Sequence, residues 1–165
     1  MRIFPLIIGV KWIPKNGRLG SGAGYKLVLS IFLEGKTAYW PRIGNIDSKL
    51  IIIEFVDYNC GYCKKTLSTI SKLMKNFDNI QIVFIDFPIL SESSEIAARA
   101  SLAANEQNAY FEYHTILLNN TKSISENFLY EIAKDLSLDI EKFKKDISSE
   151  KIKNNIIKNI KFANS

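Results

Sequence analysis

Cysteine is scarce in this sequence, with two residues in 165, and histidine scarcer still, with one. Two cysteines exclude a framework of structural disulfides, and a bridge between Cys60 and Cys63 would close a loop too small to restrain the unfolded chain much. Zinc is equally ill served. A single C-x-x-C supplies two of the roughly four ligands that a structural site needs, and the one histidine, His114, lies in a helical stretch where it reads as a satisfied helix residue. No metal and no cofactor is expected. Proline occurs at positions 5, 14, 41 and 88 and then not again. No apolar run approaches the roughly 20 residues of a membrane-spanning helix, so no membrane span is expected. Arg2 followed by IFPLIIGV has the form of a short export signal, but Lys11 ends the run early and no small-x-small cleavage site follows at the usual distance.

Positive charge is in excess, at a net +5, yet it is not gathered into a stripe. The lysines are spread over predicted helix faces and thicken only in the last quarter, which reads as solvated surface and not as a nucleic-acid interface. In KFKKDISSEKIKNNIIKNIKF they interleave with Ile152, Ile156, Ile157 and Ile160 at helical spacing. That pattern is a core helix with one wet face.

The residues that are abundant describe a soluble globular chain: 47% are hydrophobic and 24% charged. The length suits one domain with an extension. Residues 14–25, PKNGRLGSGAGY, have linker composition, and a boundary near Pro41 leaves 1–41 as an N-terminal extension without an assigned structure and 42–165 as the domain. From Leu50 the run LIIIEFVDY reads as a strand buried on both faces. Cys63, Leu67, Ile70, Met74 and Phe77 then fall on one stripe of an amphipathic helix that starts at or near Cys60. NIQIVFIDFP reads as a second buried strand, ended by Pro88. A right-handed crossover makes the two strands parallel, a βαβ unit over 42–90. From Ser93 to Phe162 the pattern is helical, about four helices within 91–162, with Ser123 and Glu126 at capping-box spacing and Asp139 as a further cap.

The C-x-x-C therefore sits at a strand-to-helix junction. A thiol attacks a disulfide only as thiolate, and the amide groups and dipole at a helix N-terminus favour that anion. Cys60 at the helix start is the expected exposed nucleophile, and Cys63, one turn in and facing the core, the resolving thiol that attacks a mixed disulfide. Lys64 and Lys65 add positive charge nearby. Glu54 interrupts the apolar strand six residues earlier: it lies either at a strand edge in water or near the cysteines as a proton acceptor for Cys63. Asp57 reads as a solvent-facing loop residue. Tyr62 is expected to be an exposed ring tuning access to the thiols, and Gly61 to admit a substrate backbone. The blander alternative is that both thiols are simply small buried residues.

Together, IIIEFVDYNCGYCKK and DFPILSESSEIAARASLAANEQNAYFEYHTILL resemble the DsbA-like thiol–disulfide oxidoreductases of the thioredoxin superfamily, over roughly residues 42–160. The resemblance implies an α/β, thioredoxin-like fold with an inserted helical domain. It implies Cys60 as nucleophile, Cys63 as resolving cysteine, a redox-active Cys60–Cys63 disulfide, and Glu54 as the acid beneath them. It implies reduced or misoxidised protein substrates, a reoxidising or reducing redox partner, and the periplasm as location. Gly61-Tyr62 between the cysteines also occurs in the disulfide isomerase branch; the helical continuation is more like the oxidase side. Such proteins continue with a cis-proline loop, two strands and a final helix. With no proline after Pro88, that C-terminal part is expected to be missing, leaving two strands with an unpaired edge and a binding module or inactive remnant as the reading of another class.

Overall fold

The computed structural model describes residues 11–14, 39–48 and 50–164, the first of these by backbone alone. The export-signal reading of residues 2–10, most of the linker at 14–25 and the apolar run at 27–33 lie outside the described residues.

β1 is Lys11–Pro14, β2 Arg42–Gly44 and β3 Leu50–Val56; α1 is Gly61–Asn76 and β4 Gln81–Asp86. Five helices follow: α2 Glu92–Asn105, α3 Tyr110–Asn119, α4 Glu126–Asp135, α5 Ile140–Ile147 and α6 Glu150–Ala163. β3 and β4 pair in parallel, with Glu54 opposite Phe84 and Val56 opposite Asp86, as a βαβ unit requires. Their β-branched and aromatic side chains are buried on both faces of the sheet.

The sheet order is β1-β3-β4-β2, which corrects the expectation of two strands. β1 runs antiparallel to β3, with Lys11 opposite Ile53, and β2 antiparallel to β4, with Arg42 opposite Val83. Both parallel strands are thus flanked on their outer sides, and the unpaired edge expected of a two-stranded sheet is paired at β3 by β1 and at β4 by β2. Strands of four and three residues are too short for alternation to be read from sequence. β2 ends at Gly44, whose φ is +87° and where a Cβ would lie 2.4 Å from the Ile80 carbonyl oxygen, so the turn off the sheet needs glycine.

Side-chain alternation divides the sheet. Ile52, Val56, Ile82 and Phe84 face the helices, joining Cys63, Leu67 and Ile70 of α1 and the alanine-rich side of α2. Ile51, Ile53, Val83 and Ile85 face the other way, against Trp40 and with Tyr39, Phe55 and Phe162 packed beside them. Small residues Ala97, Ala100, Ala103 and Ala104 let α2 approach its neighbours closely.

Serines and an aspartate start the later helices. Ser91, Ser125, Asp139 and Ser149 each accept a backbone N–H three residues on. The cap before α4 is Ser125 and not Ser123, because Glu126 is already the first helical residue. On α1 the buried stripe ends before Phe77, which caps the helix and is exposed. On α6 the buried side is Ile152, Asn155, Ile156 and Asn159, while Ile157 is exposed. Asn159 has a reason to be inside: its Oδ1 accepts the Trp40 indole N–H at 2.7 Å and its Nδ2 donates to the Asp86 carbonyl at 3.0 Å.

Candidate active site

Cys60 is the N-cap of α1. Its backbone is extended, its amide donates to the Asp57 carbonyl at 3.0 Å, and its carbonyl accepts the Lys64 amide as the first helical hydrogen bond. No side chain caps this helix and no acidic residue occupies its first turn, in contrast to the four capped helices. A negative charge on the N-cap residue is therefore what the first-turn amides lack.

The two thiols are free and unequal. Cys60 retains 8% of its surface and Cys63 1%. The expectation of an exposed Cys60 is thus corrected: both lie in the core cluster, and Cys60 is only the more accessible. Cys63 Sγ donates to the Phe55 carbonyl at 3.9 Å. Burial pushes the Cys63 thiol up to about 12; a hydrogen bond from the Asp57 backbone pulls the other way, while Cys60 and the charge of Glu54 push it further up.

Of the two readings of Glu54, the water-facing strand edge is excluded. β3 is paired on both sides, and Glu54 is 2% exposed with neither carboxyl oxygen hydrogen-bonded to protein. Burial, then the charge of Asp86, push its carboxyl up to about 8. Gly61 opens α1 with empty space where a Cβ would sit. Tyr62 is 73% exposed, with Lys65 Nζ 5.6 Å from its ring centroid. Lys64 Nζ donates to the Asn120 carbonyl at the end of α3.

Asp57 corrects a further expectation, since it is buried and not solvent-facing. Its carboxylate accepts from the amides of Asn59 (2.8 Å), Ile89 (2.9 Å) and Leu90 (3.0 Å) and from the Ser94 hydroxyl (2.7 Å). Strand alternation stops at Val56, so it cannot assign the face of the next residue.

A buried polar cluster behind the thiols was not foreseen. Tyr110 Oη donates to Asp86 Oδ2 at 3.1 Å, and Tyr58 Oη lies 3.4 Å from Tyr110 Oη and 3.1 Å from His114 Nδ1. All four residues are buried. His114 is only half satisfied, because its Nε2 lacks a protein partner, and burial pushes it down to about 3, which keeps it neutral. The available signal was Asp86 itself, a charge inside VFIDF of the same kind as Glu54 inside IIIEF.

A thioredoxin family model, Thioredoxin_4, matches residues 36–165. Among solved structures, the thiol–disulfide exchange protein alpha-DsbA2 of Wolbachia pipientis superposes with a TM-score of 0.72 at 27% identity, over 88% of this chain and 82% of that one. Among curated relatives, "Probable disulfide bond formation protein D" of Bacillus cereus is 29% identical over 129 residues, 70% of this chain and 60% of that protein. "Na(+)/H(+) antiporter NhaA 1" of Salinispora arenicola is 26% identical over 110 residues, 66% of this chain but 17% of the relative. The chain thus spans less than two thirds of the length of these curated relatives. With the family model reaching from ahead of β2 to the last residue, and enclosing the whole thiol turn, the chain belongs to the thioredoxin family, and it is similar to members named for thiol–disulfide exchange and disulfide bond formation.

Proposed function

We propose that the chain is a protein thiol–disulfide oxidoreductase that passes a Cys60–Cys63 disulfide to reduced proteins. The observation that carries this reading is the asymmetry of the pair: Cys60 caps an otherwise uncapped helix and keeps some surface, whereas Cys63 is sealed. A substrate thiolate attacks the sulfur of Cys60, the more accessible residue of the pair. The Cys60–Cys63 bond breaks and its electron pair leaves with Cys63 Sγ. With its thiol pushed up to about 12, Cys63 takes a proton, and Glu54 is the acid beneath it. A second substrate thiolate then attacks the substrate sulfur of the mixed disulfide. The substrate disulfide forms, and Cys60 leaves as thiolate at the helix N-terminus.

Tyr62 and Gly61 form the rim of this approach, an exposed aromatic surface beside open space for an extended backbone. The cycle leaves a dithiol, so a redox partner must remove two electrons to restore the disulfide. Oxidation is favoured over isomerisation by the likeness to a relative named for disulfide bond formation. An exported compartment such as the periplasm, where disulfides persist, suits that direction. Among the described residues no helix is long and apolar enough to cross a membrane, and the antiporter likeness, at 17% of that relative, lends no transport reading.

The test is to oxidise the purified chain, mix it with a peptide dithiol, and follow peptide disulfide by mass. One peptide disulfide per chain, with both cysteines reduced afterwards, is expected. Oxidised chain that transfers nothing overturns the proposal and leaves a binding module. Reshuffling of a scrambled substrate without net oxidation moves the reading to an isomerase.

A further inference from the structure

Glu54 and Asp86 form a buried carboxyl pair whose two members have different surroundings. They project from adjacent parallel strands onto the helix-covered face of the sheet, Asp86 lying opposite Val56, two residues beyond Glu54. Both are buried. Asp86 Oδ2 accepts the Tyr110 hydroxyl at 3.1 Å, and Tyr58 Oη, 3.4 Å away, supports that hydroxyl in turn. Among the described residues Glu54 has no such donor at either oxygen, whereas Asp86 lacks one at Oδ1 alone. A buried carboxylate without donors is far costlier than one that accepts a hydroxyl, and two adjacent buried carboxylates do not both stay ionised.

We propose that Asp86 is a positioning residue for proton transfer at the thiol pair: the Tyr110 hydroxyl keeps it the ionised member, so the pair's proton rests on Glu54, on the Cys63 side. This rests on the thiol–disulfide reading above and on Glu54 as the acid beneath the thiols. Burial raises both carboxyls, Asp86 to about 7 and Glu54 to about 8, in the order that the donors dictate. The groups facing the pair are Cys63 from α1, Tyr58 from the turn and Tyr110 from α3, with His114 of α3 and Ser101 of α2 beside Tyr58. None of these is cationic at neutral pH, since His114 is held neutral.

The role follows from the proton balance. When the Cys60–Cys63 bond opens, the Cys63 sulfur needs one proton. A glutamate with an ordinary carboxyl would have none to give at neutral pH, whereas Glu54 beside an ionised Asp86 does. The proton passes from the Glu54 carboxyl to Cys63 Sγ. Two buried negative charges then remain, a state that takes a proton back from water. In the reverse direction the same pair receives the Cys63 proton.

Difference infrared spectroscopy of the reduced chain in heavy water reads the protonated carboxyl band directly, without turnover. The band that remains between about pH 7 and about pH 8, where Asp86 has ionised and Glu54 has not, is expected to vanish in Glu54→Gln, and in Asp86→Asn to titrate ~1 pH unit lower than in the parent chain. In Tyr110→Phe the proton is expected to move to Asp86, which shows as a shifted band. A band that persists in Glu54→Gln and vanishes in Asp86→Asn overturns the assignment, as does an Asp86→Asn band with an unmoved titration. Should Asp86→Asn not fold, as a thermal melt would reveal, Tyr110→Phe decides alone: an unshifted band overturns the proposal. Opening of the oxidised pair by dithiothreitol, normalised to its thiolate, supplies the second readout. Its rate is expected to fall as Glu54 ionises, and to begin falling ~1 pH unit lower in Asp86→Asn. An absence of any exchange in the parent chain marks failure of the thiol–disulfide reading; exchange whose pH profile Asp86→Asn leaves in place marks failure of this inference.

Discussion

The Ser94 hydroxyl donates to the Asp57 carboxylate at 2.7 Å, fastening the turn that leads into the thiols to the first turn of α2. The same carboxylate holds the amides of Ile89 and Leu90, so it joins the end of β3 to the segment leaving β4. Replacement by alanine strands three amides and a hydroxyl. Asp57→Ala is expected to lose about 2–4 kcal/mol in urea unfolding, several hydrogen bonds to a charged group being involved but not additively. Asp57→Asn, which keeps one acceptor, loses less. A loss under ~1 kcal/mol for the alanine variant would show the clamp to be redundant.

The unequal burial of the thiols gives a labelling order. Iodoacetamide is expected to alkylate Cys60 first in the reduced native chain, and Cys63 only after denaturation, because Cys63 keeps 1% of its surface and its thiol is pushed up to about 12. Peptide mapping after partial labelling checks it.

Trapping separates the two roles. Cys63→Ser retains the attacked sulfur and loses the resolving one, so mixed disulfides with substrate are expected to accumulate on Cys60; Cys60→Ser is expected to form almost none. Equal trapping by both variants on a non-reducing gel contradicts the assignment.

Glu54 makes stability depend on pH in a stated direction. In the unfolded chain its carboxyl ionises around 4.5, and in the folded chain it holds its proton to about 8. The contribution is full below 4.5 and disappears as pH rises through 8. Asp86 acts in the same sense, between 3.8 and about 7. His114 acts oppositely: its contribution is present above 6.5 and lost as pH falls toward about 3. Glu54→Gln has no proton to lose, so its unfolding free energy is expected to match the parent chain's near pH 5 and to exceed it near pH 9, by an amount on the order of a few kcal/mol. Parallel melting curves across that range would mean that Glu54 is hydrated.

Gly44 offers a backbone test away from the thiols. Alanine there meets the Ile80 carbonyl oxygen at 2.4 Å in a left-handed conformation, so Gly44→Ala is expected to cost more than ~1 kcal/mol and to loosen β2 from β4. Faster amide hydrogen exchange at Ile43 and Ile82, the hydrogen-bonded pair between β2 and β4, is the accompanying sign.

What could be read from the sequence was local. The run from Leu50 to Val56, the stripe from Cys63 to Ile70 and the second run ending before Pro88 each carry their period within a few residues, so strand, helix and parallel strand followed, with Cys60 at the junction. β1 was not legible because its information lies in a partner some forty positions away: Lys11 meets Ile53, and four residues have no period of their own. Whether Glu54 met water depended on that same pairing, since a strand with a neighbour on each side has no wet edge. Asp57 and Asp86 were missed for a different reason. An acidic residue at the end of a strand looks alike in sequence whether it faces solvent or accepts hydrogen bonds from residues that arrive later in the chain. Ser123 and Ser125 both have plausible cap spacing, and only the helix start at Glu126 separates them.

The outer strands of the sheet precede in the chain the two strands that they flank. On the ribosome this order matters. By the time Asp86 has emerged, all four described strands are outside the exit tunnel, and the five helices that cover them are still to come. Cys60 and Cys63 emerge with that sheet, ahead of α2 and α3, which complete their cover. The interval between the synthesis of β4 and the docking of those helices is therefore the period in which the inner sulfur is open to small oxidants, and it closes as translation proceeds.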